Sequence, residues 1–162
     1  MLNILNEPGW EIGIDEVGRG CLIGPVVACA LVLPSQSEID KNKEIWSQVK
    51  DSKKVSEKKR KELYEFITKN VPAYGIGFVS EKDIDSINIL KATMKAMHIA
   101  LDTAVRKISE EELYQQKKDM PVLNILVDGP HFKPYMPPGE EEQWTIKQKC
   151  VVEGDATYLS IA

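Results

Sequence analysis

Two apolar patterns near the amino terminus predict neighbouring strands. Trp10, Ile12 and Ile14 alternate with polar or small residues, and a period of two is typical of a half-buried strand. Residues 25–33 are nearly continuous in apolar and small side chains, which favours a strand inside a sheet that is covered on both faces. Cys29 lies in this run, so we interpret it as a small core residue.

Helical patterns follow in two places. Ser56 is suited to cap a helix that runs to about residue 69, with Leu63, Phe66 and Ile67 as its apolar stripe. Farther along, apolar residues recur at three- and four-residue steps and predict one long amphipathic helix. The stripe of this second helix consists of Ile87, Leu90, Met94, Met97, Leu101, Ala104 and Ile108. His98 lies beside the stripe, and we interpret it as a structural residue rather than a ligand.

Three further runs complete the predicted sheet. Residues 73–79, 123–127 and 146–152 have strand character, and the last two are followed by Asp128-Gly129 and Gly154-Asp155. Strands separated by helices favour an α/β fold in which helices flank a mixed central sheet. We find no internal repeat or linker, so residues 1–162 are expected to form a single domain.

Length and composition narrow the class of protein. The chain has 162 residues, of which 43% are hydrophobic, enough to build one core. It has no run of about 20 apolar residues and no signal-peptide pattern at its start, so we expect a cytoplasmic protein that does not enter a membrane. Its three cysteines form no CxxC pair, which is unfavourable for a disulfide framework.

The charge distribution matters more than the net charge. The formal net charge is −4, which alone argues weakly against a nucleic-acid partner. Residues 41–69, however, contain ten Lys or Arg and five Asp or Glu. This segment predicts a local basic patch on an acidic protein. The competing interpretation is an ordinary solvated helix face.

Four carboxylates lie where a strand-like run gives way to glycine or a turn. They are Asp15, Glu16, Asp128 and Asp155. Carboxylate oxygens from separate chain segments are the ligands by which proteins hold hard divalent cations. Two such cations about 4 Å apart suit the hydrolysis of a phosphodiester. The pattern therefore indicates a metal-dependent nuclease.

Two features of this acidic set leave alternatives open. Strand alternation directs Glu16 away from Asp15, so we expect the strand to twist or end there, turning Glu16 or its carbonyl inward. Asp-Gly and Gly-Asp pairs are also common in ordinary turns. On spacing alone, Asp51 or Asp83 could replace a member of the set.

A glycine-arginine segment follows the first acids. In Gly18-Arg19-Gly20, glycine lets the backbone approach a ligand closely, and arginine binds phosphate in bidentate fashion. Next to a metal site, this segment suggests recognition of a nucleic-acid backbone, where a 2′-hydroxyl distinguishes RNA from DNA. The alternative is a glycine turn with a surface arginine. Lys53 belongs to a second compact basic segment, residues 51–54, whose alternative is a simple helix entry.

Together these segments resemble the ribonuclease HII family, the type 2 ribonucleases H. The matching stretches are GIDEVGRG at 13–20, GPVVA at 24–28, DSKK at 51–54, NILKATM at 88–94, VDG at 127–129 and VVEGD at 151–155. The resemblance implies a ribonuclease H-like fold and a monomer that cleaves RNA in RNA–DNA hybrids and incises DNA at embedded ribonucleotides. It further implies Mg²⁺ or Mn²⁺ as cofactor and products with 3′-hydroxyl and 5′-phosphate ends.

The same resemblance implies roles for individual residues. The metal-binding catalytic carboxylates are Asp15, Glu16, Asp128 and Asp155. The substrate-binding residues are Gly18, Arg19 and Gly20, which sense the 2′-hydroxyl at an RNA–DNA junction, and Lys53, which contacts phosphate.

The chain departs from the family pattern at two points. Pro130 and His131 stand where the family commonly has asparagine and arginine; we interpret His131 as part of a loop, the alternative being a contact with substrate or a role in proton transfer. In the family, the motif at residues 160–162 opens a helix that further helices and a substrate-stacking tyrosine follow, and Tyr158 does not match that tyrosine. We therefore expect a fold without its C-terminal helices, with exposed apolar surface and weak or no activity. The competing hypotheses are a non-catalytic fragment that binds metal or hybrid duplex, and a metal nuclease for DNA alone, against which the glycine-arginine segment argues.

Overall fold

The computed structural model describes residues 1–5, 7–110, 122–137 and 144–162. Five strands form one mixed sheet in the order β3-β2-β1-β4-β5. The strands are β1 (Trp10–Val17), β2 (Val26–Val32), β3 (Tyr74–Val79), β4 (Val122–Asp128) and β5 (Thr145–Val151). β2 pairs antiparallel with both β1 and β3, whereas β4 pairs parallel with β1 and β5 pairs parallel with β4. The predicted α/β class with a mixed central sheet is confirmed.

Five helices flank this sheet. They are α1 (Gln36–Lys41), α2 (Lys43–Trp46), α3 (Glu57–Asn70), α4 (Glu81–Ile87) and α5 (Ile89–Glu110). The predicted cap of α3 is confirmed, since the Ser56 side chain accepts a hydrogen bond from the Lys59 N–H. The long predicted helix is divided, because Asn88 has a φ of +72° and separates α4 from α5. No helix in the described ranges is long and apolar enough to cross a membrane.

The main core lies between α5 and one face of the sheet. The buried face of α5 is rich in small residues, including Ala96 and Ala100, and this lets the helix approach β3 closely. Gly75 and Gly77 of β3 complete the contact, since a Cβ at either position would lie within 2.0 Å of a carbonyl oxygen of α5. Leu90, which the predicted stripe included, is 43% exposed, whereas Met97, Leu101 and Ile108 of the same stripe are buried in the core.

A second core lies against the opposite face. Its buried members are Leu33, Ile39, Trp46, Val49, Val55, Leu63 and Leu159. Trp46 and Phe66 meet edge to face, with ring centroids 5.3 Å apart. Leu31 packs against this cluster, whereas Val32 belongs to the main core. Successive residues of β2 therefore point into different cores. The sheet therefore carries a hydrophobic layer on each face.

Two burial predictions are wrong. The strand predicted to be half-buried, β1, is buried on both faces over residues 11–14, because it lies at the centre of the sheet. The strand predicted to be covered on both faces, β2, alternates between buried and accessible residues. Cys29 is accordingly exposed rather than a core residue. Its small side chain fits either environment, so composition did not distinguish them.

Candidate active site

The two adjacent parallel strands β1 and β4 bring their acids to the same edge of the sheet. Ile14 pairs with Val127 in the ladder, so Asp15 and Asp128 follow as the next residues on neighbouring strands. Asp128 also pairs with Val151, the last residue of β5. Asp155 lies just beyond, in a short 3₁₀ turn over Gly154–Ala156. Carboxylates from three chain segments therefore meet where β1, β4 and β5 end.

Hydrogen bonds fix the turn that carries Asp155. The Gly154 N–H donates to Asp128 Oδ1 over 2.7 Å, and the Gly129 N–H donates to the Val151 carbonyl over 2.9 Å. Glu153 adopts a left-handed conformation with a φ of +55°, which reverses the chain after β5. The end of β4 thereby determines where the Asp155 turn lies.

The pKa of Asp15 reflects its burial and the nearby carboxylates. Burial is the main cause that raises the pKa of the Asp15 carboxyl to about 6; a hydrogen bond from the Glu16 N–H opposes this rise, and the charges of Asp128, Glu16 and Asp155 contribute to it. That N–H lies 2.7 Å from Asp15 Oδ1. Mutual repulsion among carboxylates is expected where several share a small volume. A bound cation would relieve it.

Glu16 differs from the expectation in part. Of the two predicted alternatives, a twist or an end of the strand at Glu16, the end is wrong, because β1 continues in register through Val17. Glu16 Oε1 instead accepts a hydrogen bond from Arg19 Nη1 over 3.3 Å. Its charge still acts on Asp15, so it belongs to the same electrostatic cluster.

The carboxylate oxygens of this cluster are suitable ligands for a divalent cation, but they do not converge on one point. Carboxylate oxygens are the ligands that Mg²⁺ and Mn²⁺ prefer, and the repulsion at Asp15 favours a bound positive charge. Within the described ranges, however, no three Asp, Glu, His or Cys side chains are placed to hold one ion together. One oxygen of Asp128 is engaged by Gly154. The carboxylates therefore lie near one another without surrounding a single ion position.

The glycine-arginine segment forms a tight turn after β1. Gly18 has a φ of +104°, and a Cβ there would lie 2.4 Å from the Pro25 carbonyl oxygen. The turn closes with a hydrogen bond of 3.3 Å from the Cys21 N–H to the Gly18 carbonyl. Gly20 has open space around it. Arg19, with 45% of its side chain exposed, stands between these glycines at the rim of the acidic cluster.

Lys53 lies in a turn of its own, away from β1 in the sequence. It belongs to the 3₁₀ turn Ser52–Lys54, whose cap is Asp51. Its exposed side chain makes no hydrogen bond or ion pair with the four carboxylates in the described part of the chain. Asp51 accepts the Lys53 N–H over 3.0 Å, so this acid caps the turn.

The remaining candidates have structural positions. Asp83 accompanies the Ser80 cap of α4, away from the acidic cluster. His98 Nε2 lies 2.9 Å from the Lys133 carbonyl oxygen, and its ring packs against Phe132 and Tyr135. This residue therefore anchors the loop after β4, as the structural interpretation predicted. His131 is exposed in that loop.

One buried acid escaped the sequence analysis. Glu11 is only 7% exposed and bonds to Ser160 and to the Leu5 backbone. The available signal was its spacing, since Glu11, Gly13 and Asp15 lie on one face of β1. We treated Glu11 only as the polar half of an alternating pattern.

The topology and the acidic cluster define a protein of the ribonuclease H-like class. Residues 12–162 match the family model described as "Ribonuclease HII". The ribonucleases HII of Cytophaga hutchinsonii and Bacteroides fragilis are 40% and 39% identical over 162 residues, which cover 100% of this chain and 66% of each relative. The chain belongs to the ribonuclease HII family. It spans about two thirds of the length of these curated relatives.

Solved structures support the fold. Ribonuclease H2 from Pyrococcus horikoshii OT3 superposes with a TM-score of 0.65 at 22% identity, covering 94% of this chain and 66% of that one. Bst-RNase HIII in complex with Mn²⁺ gives a TM-score of 0.64 at 19% identity, covering 94% of this chain and 48% of that one. At these identities the comparison establishes the ribonuclease H-like fold alone.

Proposed function

We propose that this chain provides a metal-dependent endonuclease centre that hydrolyses the RNA strand of RNA–DNA hybrids and incises DNA at embedded ribonucleotides. Membership of the ribonuclease HII family supports the reaction class. The observation that carries the proposal is the clustering of Asp15, Asp128 and Asp155 at the ends of adjacent strands. The products would have 3′-hydroxyl and 5′-phosphate ends. A cytoplasmic monomer stays a prediction.

The proposed cation ligands are Asp15, Glu16, Asp128 and Asp155. Mg²⁺ or Mn²⁺, when bound, would offset the charge of the phosphodiester and help to activate water. The residues of the chain contribute position and charge. Asp15 must be ionised to act as a ligand, and its raised pKa of about 6 means that cation binding competes with a proton there.

The substrate side of the proposed site is the turn after β1. Its backbone N–H groups at Gly18 and Gly20 would face a ribose 2′-hydroxyl, and Arg19 would bind a phosphate. The ion pair with Glu16 places the Arg19 guanidinium beside the acidic cluster. Lys53 would contact a phosphate farther along the duplex, which agrees with its exposure.

The test is incision of a duplex that contains one ribonucleotide. Single-turnover assays with excess protein should give cleavage with Mg²⁺ or Mn²⁺, none with a chelator, and none on an all-DNA duplex. End analysis should show a 3′-hydroxyl. Equal cleavage of the all-DNA duplex would contradict the substrate assignment.

A second candidate has an observation of its own. Because no three ligating side chains converge in the described residues, the chain could bind a hybrid duplex without turning it over. Retention of the duplex in a gel-shift assay, without metal-dependent incision at any protein excess, would favour this function.

A further inference from the structure

A buried carboxylate lies on β1 on the same face as Asp15. Glu11 is 7% exposed, and both of its oxygens accept short hydrogen bonds. Oε1 accepts from the Ser160 hydroxyl over 2.5 Å, and Oε2 accepts from the Leu5 N–H over 2.6 Å. Burial nevertheless raises the pKa of the Glu11 carboxyl. A buried carboxylate is costly, so its retention at the centre of the sheet requires an explanation.

The partner of Glu11 belongs to the segment that carries Asp155. Ser160 lies directly on β1, because a Cβ at Gly13 would be 2.0 Å from the Ser160 carbonyl oxygen. The N-terminal segment secures the same stretch from its other side. The Asn3 N–H donates to the Thr157 carbonyl, and the Leu159 N–H donates to the Asn3 carbonyl, both over 2.9 Å.

Backbone hydrogen bonds between neighbouring residues hold together the segment that contains Asp155 and Ser160. The Tyr158 N–H donates to the Gly154 carbonyl over 2.8 Å, and the Ile161 N–H donates to the Tyr158 carbonyl over 3.2 Å. Residues 153–162 thus form a compact unit rather than an extended strand. A shift of Ser160 would therefore move the turn at Asp155.

Two carboxylates anchor this unit at its two ends. Asp128 accepts the Gly154 N–H, and Glu11 accepts the Ser160 hydroxyl. We propose that Glu11 is a positioning residue that, through Ser160, holds residues 153–162 against β1 and thereby fixes Asp155 beside Asp15. The inference rests on the proposed function, because it assumes that Asp155 is a cation ligand.

The test compares Mn²⁺ affinity among matched variants. Ser160→Ala removes the donor, and Glu11→Gln removes the charge at similar size. Thr93→Val is the control, because Thr93 is also buried and its hydroxyl donates to the Ile89 carbonyl within α5. Mn²⁺ binding is measured from the signal of free Mn²⁺ in electron paramagnetic resonance, and stability is measured by urea unfolding.

We expect Ser160→Ala and Glu11→Gln to weaken Mn²⁺ binding about 10-fold, the scale observed for partners that orient metal ligands. Thr93→Val should bind Mn²⁺ as the wild type does, even if it unfolds at lower urea. In an Asp155→Asn background, Ser160→Ala should change the residual affinity less than about 2-fold, because its effect passes through Asp155.

Other results separate the two proposals. Unchanged Mn²⁺ affinity in folded Ser160→Ala and Glu11→Gln, or loss of the folded state in both, would overturn the positioning role. An Asp128→Asn variant that binds Mn²⁺ as tightly as the wild type would instead overturn the proposed metal centre. Weak binding in Asp128→Asn together with wild-type binding in Ser160→Ala would refute only the role of Glu11.

Discussion

Asp128 Oδ1 accepts a hydrogen bond of 2.7 Å from the Gly154 N–H. This contact joins the end of β4 to the turn that carries Asp155, although the two residues lie 26 positions apart in the sequence. Asp128 therefore has two roles in the proposed centre. It is a proposed cation ligand, and it also positions the turn that carries Asp155. The predictions below follow from this shared use of structure and charge.

Asp15→Asn should stabilise the metal-free protein at neutral pH. The pKa of Asp15 is raised from 3.8 to about 6 in the folded state, so its stabilising contribution is complete below pH 3.8 and is lost as the pH rises through about 6. The asparagine variant avoids the cost of ionisation. Its advantage in the free energy of unfolding should appear above pH 4 and level off above pH 6.

Urea unfolding at pH 4.5, 6 and 7.5 in the presence of a chelator checks this pH dependence. Asp85→Asn is the control, since Asp85 is exposed on α4 and its replacement should give no comparable pH-dependent gain. An advantage for Asp15→Asn that is the same at pH 4.5 and 7.5 would argue against a raised pKa of Asp15.

Gly13→Ala should destabilise the fold, whereas Gly20→Ala should not. A Cβ at Gly13 would lie 2.0 Å from a backbone oxygen of Ser160, while a Cβ at Gly20 meets no heavy atom within 4 Å. We expect Gly13→Ala to lose about 3 kcal/mol of unfolding free energy, the upper range for overpacking. Gly20→Ala should change it by less than about 0.5 kcal/mol. Equal stability of the two variants would show that residues 158–162 do not pack on β1 in solution.

Arg19→Ala should affect substrate recognition more than stability. Its ion pair with Glu16 spans 3.3 Å and is partly exposed, so losing it should cost less than about 1 kcal/mol. Binding to a duplex with one ribonucleotide should weaken, and the preference for the RNA–DNA junction should fall. Arg106→Ala removes an equal charge from the surface of α5 and serves as the control. Junction preference that is equal in both variants would remove Arg19 from the recognition site.

The part of the sheet that is left accessible at β2 and β3 should lower the solubility of the protein. Val17, Ile76 and Phe78 are 68%, 52% and 59% exposed, and the register places them near Val27 and Cys29 on one face. Phe78→Ser should reduce binding of a hydrophobic dye and raise solubility, because it interrupts a continuous apolar patch. Leu22→Ser, in the loop after β1 and fully exposed, should have a smaller effect. The patch has no such role if the two variants behave alike.

Local patterns predicted the elements well where one segment determines them. The Ser56 cap and the apolar stripe of α3 depend on a few adjacent residues, and both are confirmed. The acids at the ends of β1 and β4 were also identifiable, because a strand that ends in a carboxylate is visible in the sequence. Their proximity depends on β1 and β4 being parallel neighbours, which the sequence patterns did not reveal.

Features that depend on distant segments were beyond the sequence patterns. The burial of β1 reflects its central place in the sheet, and the exposure of Cys29 reflects the lack of cover by the described residues on its face of β2; periodicity reveals neither. The contact between Glu11 and Ser160 joins residues 149 positions apart. The small-residue face of α5 was missed because the glycines of β3 that receive it lie outside the helix.

The central claim is that carboxylates from separate segments form one cation-dependent centre, and Asp128→Asn tests it most directly. The asparagine Oδ1 can still accept the Gly154 N–H, so the fold should persist. On a duplex with one ribonucleotide, in the presence of Mn²⁺, the wild type should incise, and the folded variant should lose at least about 100-fold in single-turnover rate and bind Mn²⁺ more weakly. Incision and Mn²⁺ affinity equal to those of the wild type in the folded variant would contradict the account.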